Sequence, residues 1–72
     1  MTLLRTEIEP GVVVSTIEID LRQYGIEWRY ETLVYAPDDH PHGWRDERSA
    51  TRAQALALHA EYVALLRDSS GS

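Results

Sequence analysis

The sequence contains no cysteine. Disulfide bonds and a thiol nucleophile are therefore excluded, and the absence suits a reducing compartment. A chain of 72 residues builds one core, and a domain of this size buries only about 60% of the surface that its unfolded chain exposes. Stability must therefore come from the core itself or from oligomerisation.

Long apolar runs are also missing. The longest, such as residues 11–14, fall far short of the roughly 20 residues that cross a bilayer. The N-terminus lacks the apolar region of a signal peptide. We therefore expect no membrane association and a protein that stays in the compartment where it is made.

Basic side chains are outnumbered, with seven Lys+Arg against twelve Asp+Glu and a formal net charge of -5. The average field of such a protein repels phosphate backbones, so no direct nucleic-acid binding is expected. Trp28, Tyr30 and Tyr35, together with Arg29, could imitate a stacking platform for single-stranded nucleic acid. Trp28 and Tyr30, however, share the parity of the predicted core.

Two segments alternate apolar and polar side chains with the period of a β-strand. Residues 12–21 place Val13, Ser15, Ile17, Ile19 and Leu21 on one face, and residues 26–36 place Ile26, Trp28, Tyr30, Thr32 and Val34 on one face. These two faces are predicted to meet the core. Residues 2–9 are a candidate edge strand before the Pro10-Gly11 breaker, a question that the pattern leaves open.

Gly25 supplies the positive φ that a tight hairpin between these two strands needs. A two-residue turn at Tyr24-Gly25 would pair Ile19 with Tyr30. A four-residue loop would pair Ile19 with Trp28 instead. The charge pairs across the strands favour the tighter turn.

Residues 37–43 are predicted to form a loop. Their two prolines lack the backbone N–H that pairs strands, and their Asp-Asp and Gly residues favour turns. Residues 44–49 follow as a short charged strand. Thr51 and Gln54 fit the capping box S/T-x-x-E/Q, which predicts a helix from Thr51 to about Arg67. Its apolar stripe is predicted to contain Leu56, His59, Ala60, Val63 and Leu66.

The predicted fold class is α+β: an antiparallel β-hairpin or meander of two to four strands with one C-terminal α-helix packed on one face. Residues 1–67 would form the single domain, and residues 68–72 a flexible C-terminal tail.

Three segments of the sequence follow one another as VST at 14–16, YETLVY at 30–35 and TRAQALALH at 51–59. In order and spacing they resemble the V-S-T, F-E-T-M-V-F and T-E-E-E-A-L-A-G-H stretches of small uncharacterised proteins encoded by actinobacterial phages. The resemblance implies a phage or prophage origin and a place in the bacterial cytoplasm or the virion. It implies no reaction.

The segment Asp38-Asp39-His40-Pro41-His42 is the richest cluster of metal-ligating side chains. A metal site there would use His40 and His42, with His59 as a third ligand if the loop folds over the helix. The alternative is a solvated turn and a histidine that caps the core. Because the loop lacks the spacing of known zinc sites, no metal and no cofactor is predicted.

Catalytic patterns are missing from the sequence. Its serines have no histidine and carboxylate partners, there is no glycine-rich phosphate loop, and the acidic pairs have no predicted cleft. We therefore expect a protein that is not an enzyme.

Four apolar side chains, Val12, Val14, Leu33 and Tyr35, share the parity of the charged residues at the open end of the hairpin. One helix cannot cover both faces of a sheet. They are predicted to form an interface with a second copy or with another phage or host protein, the alternative being cover by the N-terminal segment.

The function predicted from these patterns is that of a small non-enzymatic phage-type accessory or structural protein, acting through protein–protein contacts and self-associating. The alternative is an acidic inhibitor or DNA mimic that binds a host nucleic-acid enzyme. A weak metal-binding module is the third possibility.

Overall fold

The structure is a computed structural model that describes residues 1–19, 24–25, 29–37 and 45–70. These residues contain four strands and one helix: β1 (Thr2–Glu9), β2 (Val12–Glu18), β3 (Tyr30–Tyr35), β4 (Arg45–Ser49) and α1 (Arg52–Ser70). The strands form one antiparallel sheet in the order β1-β2-β3-β4, and α1 packs against it. The predicted α+β fold, a meander with one C-terminal helix on one face, is confirmed.

The N-terminal segment, left open by the sequence, is a strand. Pro10 and Gly11 connect it to β2, and Gly11 has φ 85°. A type II turn requires a positive φ at its second central position and commonly has proline at the first, which fits Gly11 and Pro10. The β1 pairing shifts register between Thr2 and Leu4 and again between Glu7 and Glu9.

The β2–β3 register differs from both predicted registers by one residue. Glu18 pairs with Tyr30 and Val14 with Val34, so Tyr30 lies opposite Glu18 and not opposite Ile19. Gly25 does have the expected positive φ, 74°. Residues 20–23 and 26–28, which include the predicted ends of both strands and the side chain of Trp28, lie outside the described residues.

The one-residue difference turns β2 over, because successive side chains of a strand point to opposite faces. On the helix side, the buried side chains of the two central strands are Val12, Val14 and Thr16 of β2 and Tyr30, Thr32 and Val34 of β3. Val13, which is 8% exposed, is buried on the opposite side. The predicted core parity of β3 is therefore right. That of β2, with Val13, Ser15 and Ile17 facing the helix, is wrong.

Leu66 closes the core. Its side chain is fully buried in a cluster with Val12, Val14 and Val34. Ile8 of β1 and Val63 of α1 are among the partly buried residues that pack against this cluster. The helix and the first three strands therefore share one apolar centre.

The stripe of α1 that faces the sheet is rotated slightly from the predicted one. Ala55, His59 and Leu66 are buried, Tyr62 and Val63 are half-buried, and Ala60, predicted to be in the stripe, is exposed. The rotation lets Tyr62 reach β4, where its hydroxyl donates to Glu47.

The predicted capping box is present. The backbone N–H of Gln54 donates to Thr51 Oγ1 over 3.2 Å, and the N–H of Thr51 donates to Gln54 Oε1 over 3.3 Å. The helix begins at Arg52 and continues to Ser70, past its predicted end at Arg67. Residues 68–70 are thus helical, while 71–72 lie outside the described residues.

Replacing Leu66 with alanine should lower the free energy of unfolding by about 2–5 kcal/mol, because it leaves a cavity at the centre of the core. Leu65→Ala removes the same atoms from a neighbouring position that is 43% exposed, and should change it by less than about 1 kcal/mol. Urea denaturation followed by circular dichroism measures both. Equal losses in the two variants would contradict this placement of the core.

Candidate functional site

A chain of hydrogen-bonded side chains runs through the interior between α1 and the sheet. His59 Nε2 and Thr6 Oγ1 are 2.9 Å apart, and His59 Nδ1 and Thr16 Oγ1 are 2.8 Å apart. Thr16 Oγ1 lies 3.0 Å from Thr32 Oγ1. One helix and three neighbouring strands are thereby connected by a polar chain, which consists of Thr6, His59, Thr16 and Thr32.

A neutral imidazole can satisfy this arrangement, because one ring nitrogen donates and the other accepts while each hydroxyl does both. Among the described residues, every buried side-chain nitrogen and oxygen has a hydrogen-bond partner. Burial lowers the pKa of His59 from its ordinary value of 6.5, since an imidazolium would lose its hydration. His59 is therefore neutral at pH 7.

Both ring nitrogens of His59 are engaged with threonine hydroxyls, which leaves neither available to coordinate a metal. His59 is therefore better described as a core histidine than as a third metal ligand. The loop that would supply His40 and His42 lies outside the described residues. Within the described part of the chain, no three His, Cys, Asp or Glu side chains are grouped so that they could hold a metal ion.

The three threonines were not singled out by the sequence patterns. The available signal was His59 itself, because a histidine on an apolar helical stripe needs polar partners on the facing strands. Thr32 shares the parity of Tyr30 and Val34, which makes it a candidate for such a polar partner. The alternation of residues 12–21 predicts Thr16 on the opposite face, so it does not predict the contact between Thr16 and His59.

The four predicted interface residues do not form one surface. Val12 and Val14 are 1% and 0% exposed in the core beneath α1, so their prediction as interface residues is wrong. The register turns their side chains to the helix. Leu33 and Tyr35 lie on the opposite side of the sheet, where Leu33 is half-buried and Tyr35 is 45% exposed.

The outer face of the sheet, defined as the face opposite α1, carries both apolar and polar side chains. Its members on β2 and β3 are Val13, Ser15, Ile17, Glu31, Leu33 and Tyr35. Arg48 of β4 pairs with Glu31 across the strands, at 3.7 Å. No helix or strand of the described residues covers this face.

A shallow, open depression of about 400 Å³ lies between β4 and the first turns of α1. Its lining is largely polar and includes Glu47, Arg48, Ser49, Gln54 and Glu61. Nearby, Tyr62 donates to Glu47 Oε2 over 2.8 Å, and burial together with this carboxylate raises the pKa of Tyr62. The tyrosine ties the helix to β4 and stays protonated at neutral pH.

The chain matches no protein family, no curated protein sequence and no solved structure. No helix in the described ranges is both long enough and apolar enough to cross a membrane. The described geometry therefore defines a small α+β protein, whose functional surfaces have to be inferred from its own residues.

Thr16→Val keeps the shape of the side chain and removes the hydroxyl at the middle of the polar chain. It should lower the free energy of unfolding by about 1–3 kcal/mol, because His59 and Thr32 both lose a buried partner. Thr2→Val makes the same change at an exposed strand position and should cost less than about 1 kcal/mol. Urea titration of both variants checks this, and equal effects would contradict it.

The lowered pKa of His59 makes stability depend on pH. Below pH 6.5 the imidazole of His59 is protonated in the unfolded chain but stays neutral in the folded protein, because its folded-state pKa is lower. The free energy of unfolding should therefore fall as the pH drops from 6.5 towards the folded-state pKa. Denaturation at several pH values, compared with His59→Gln, measures this component. A variant with the same slope as the wild type would disprove it.

Proposed function

We propose that this protein is not an enzyme and that it works through protein–protein contacts, self-associating in solution. The observation that carries the proposal is the one-sided cover of the sheet. Within the described residues α1 lies on one face only, and the outer face and the edge of β1 have no neighbouring element. Both are surfaces through which sheets join.

The outer face supports this proposal by its composition. Ile17 and Leu33 are half-buried and Tyr35 is 45% exposed, and charged residues flank them. An apolar centre with a charged rim is the usual arrangement of an interface. Association would also add buried surface to a domain of 72 residues, which buries a smaller fraction of its surface than a larger domain does.

The non-enzymatic part of the proposal is supported by the state of the titratable groups. Burial lowers the pKa of His59, and burial together with the Glu47 carboxylate raises the pKa of Tyr62. Each is held by hydrogen bonds that connect α1 to the sheet. The open depression beside β4 does not enclose a reacting group in the way that a catalytic pocket must.

The biological setting is part of the same proposal and rests on the sequence resemblance. A phage-type accessory or structural protein would act in the cytoplasm of a bacterial host or in the virion. Its contacts would be with itself and with another phage or host protein.

The alternative of an acidic DNA mimic finds less support in the arrangement of charges. A mimic needs a continuous row of carboxylates. Here arginines interrupt the acidic residues, since Arg5 precedes Glu7 on β1 and Arg48 pairs with Glu31. We therefore prefer self-association.

Sedimentation velocity over a wide range of protein concentrations tests the proposal. The expected result is a species with a multiple of the monomer mass of 8.2 kDa, whose fraction rises with concentration by mass action. Sedimentation of a single species at the monomer mass at every concentration would refute self-association.

A further inference from the structure

The hydrogen bonds at the ends of β2 show which way its backbone groups point. The N–H of Glu18 donates to the Met1 carbonyl over 2.8 Å, and the Met1 amino group donates to the Glu18 carbonyl over 3.1 Å. The N–H of Ile19 donates to the Arg29 carbonyl over 2.6 Å. Glu18 is therefore directed to β1, and Ile19 to the β3 side.

Because this direction alternates along an antiparallel strand, Thr16 and Val14 are also directed to β1. Their register partners on β1 are Leu4 and Thr6. In antiparallel pairs, two residues that are directed to each other exchange both N–H···O=C bonds. The backbone groups of Leu4 and Thr6 thus point into the sheet.

The backbone N–H and C=O groups of the alternate residues, Arg5 and Glu7, consequently point away from the sheet at the edge of β1. Both side chains are exposed, and they carry opposite charges. The regular segment that contains them lies between the two register shifts of β1. This edge is therefore a short template for a further antiparallel strand.

A second copy of β1 can pair with this edge only if its outward-directed residues meet those of the first copy. The three central registers place Arg5 opposite Arg5, Arg5 opposite Glu7, or Glu7 opposite Glu7. Like charges directly opposite one another destabilise a strand pair, and opposite charges stabilise it. We propose that β1 pairs with β1 of a second copy in the register that places Arg5 opposite Glu7, with the two-fold axis through Thr6.

This register also suits the apolar side chains of β1. Leu4, which is 42% exposed, comes to lie opposite Ile8 of the second copy on the helix side of the sheet. The side chain of Thr6 is already turned to that side by its hydrogen bond to His59. The pairing would therefore cover the exposed leucine of each copy.

The neighbouring flank of the helix supports the same arrangement. Tyr62 contacts Glu47, which identifies the flank of α1 that faces β4. At about 100° per residue, the opposite flank, beside β1, carries Leu56, Ala60 and Val63, followed by the exposed Arg67 near the end of the helix. A two-fold axis perpendicular to the sheet keeps both helices on one face. These flanks, apolar except for Arg67, then approach each other over the joined strands.

The other outer strand is protected against such pairing. β4 has five residues, of which Arg45, Asp46, Glu47 and Arg48 are exposed and charged. Short, charged edge strands are a common device against pairing. On β1 the charged Arg5 and Glu7 alternate with Leu4, Thr6 and Ile8, so apolar side chains accompany the charges there and β1 is the proposed edge.

The inference rests on the proposed self-association and specifies its surface, and charge reversal tests it. Arg5→Glu and Glu7→Arg should each raise the dissociation constant of the dimer by about tenfold or more, because each places like charges opposite one another twice. Arg52→Glu and Glu61→Arg change the net charge equally at exposed positions of α1 and should leave it unchanged. Circular dichroism confirms that the variants are folded.

Mixing the two single variants provides the decisive measurement. In a heterodimer of Arg5→Glu with Glu7→Arg, both cross-strand pairs again join opposite charges, so sedimentation should show a dimer that neither variant forms alone at that concentration. The double variant Arg5→Glu/Glu7→Arg should dimerise like the wild type. If mixing fails to restore the dimer, the proposed register is wrong.

Two further outcomes separate this inference from the proposed function. If the wild type dimerises and the single β1 variants dimerise equally well, self-association stands but the β1 edge is not the contact. Loss of the dimer in Leu33→Asp alone would assign the contact to the outer face. A wild-type monomer at every concentration would overturn both proposals.

Discussion

The hydrogen bonds between His59 and two threonines hold the structure to one arrangement. A buried imidazole without partners loses its hydration and gains nothing in return, so α1 can dock only where hydroxyl groups meet both ring nitrogens. Thr6 and Thr16 provide them from adjacent strands, and Thr32 extends the chain to a third. Apolar contacts around Leu66 hold the helix on the sheet, and the polar chain fixes where it sits.

The same requirement explains which features the sequence predicted. The strands, the glycine turn, the capping box of Thr51 and Gln54 and the single helix all depend on local chemistry, and local chemistry can be read from neighbouring residues. The orientation of β2 depends instead on a partner 43 residues away, since Thr16 must meet His59. Alternation alone favoured the more apolar parity of β2, which begins at Val13. It therefore placed the wrong side of the strand inside.

Turning β2 over also changes where an interaction surface can lie. With Val12 and Val14 in the core, the apolar side chains of the outer face on β2 and β3 are Val13, Ile17, Leu33 and Tyr35, and of these four only Tyr35 is exposed. The exposed Leu4 and the outward-directed backbone of β1 then become the more specific features. Their importance was not visible from the sequence because the direction of a backbone group depends on the register with the neighbouring strand.

The meander order of the sheet has a consequence for the kinetics of folding. Every strand pairs with its neighbour in the chain, so the sheet requires only short loop closures, whereas the contact between Thr6 and His59 spans 53 residues. We expect the strands to assemble first and the helix to dock late, on a preformed surface. Interactions made after the transition state mainly slow unfolding. The polar chain would thus lengthen the lifetime of the native state more than it accelerates its formation.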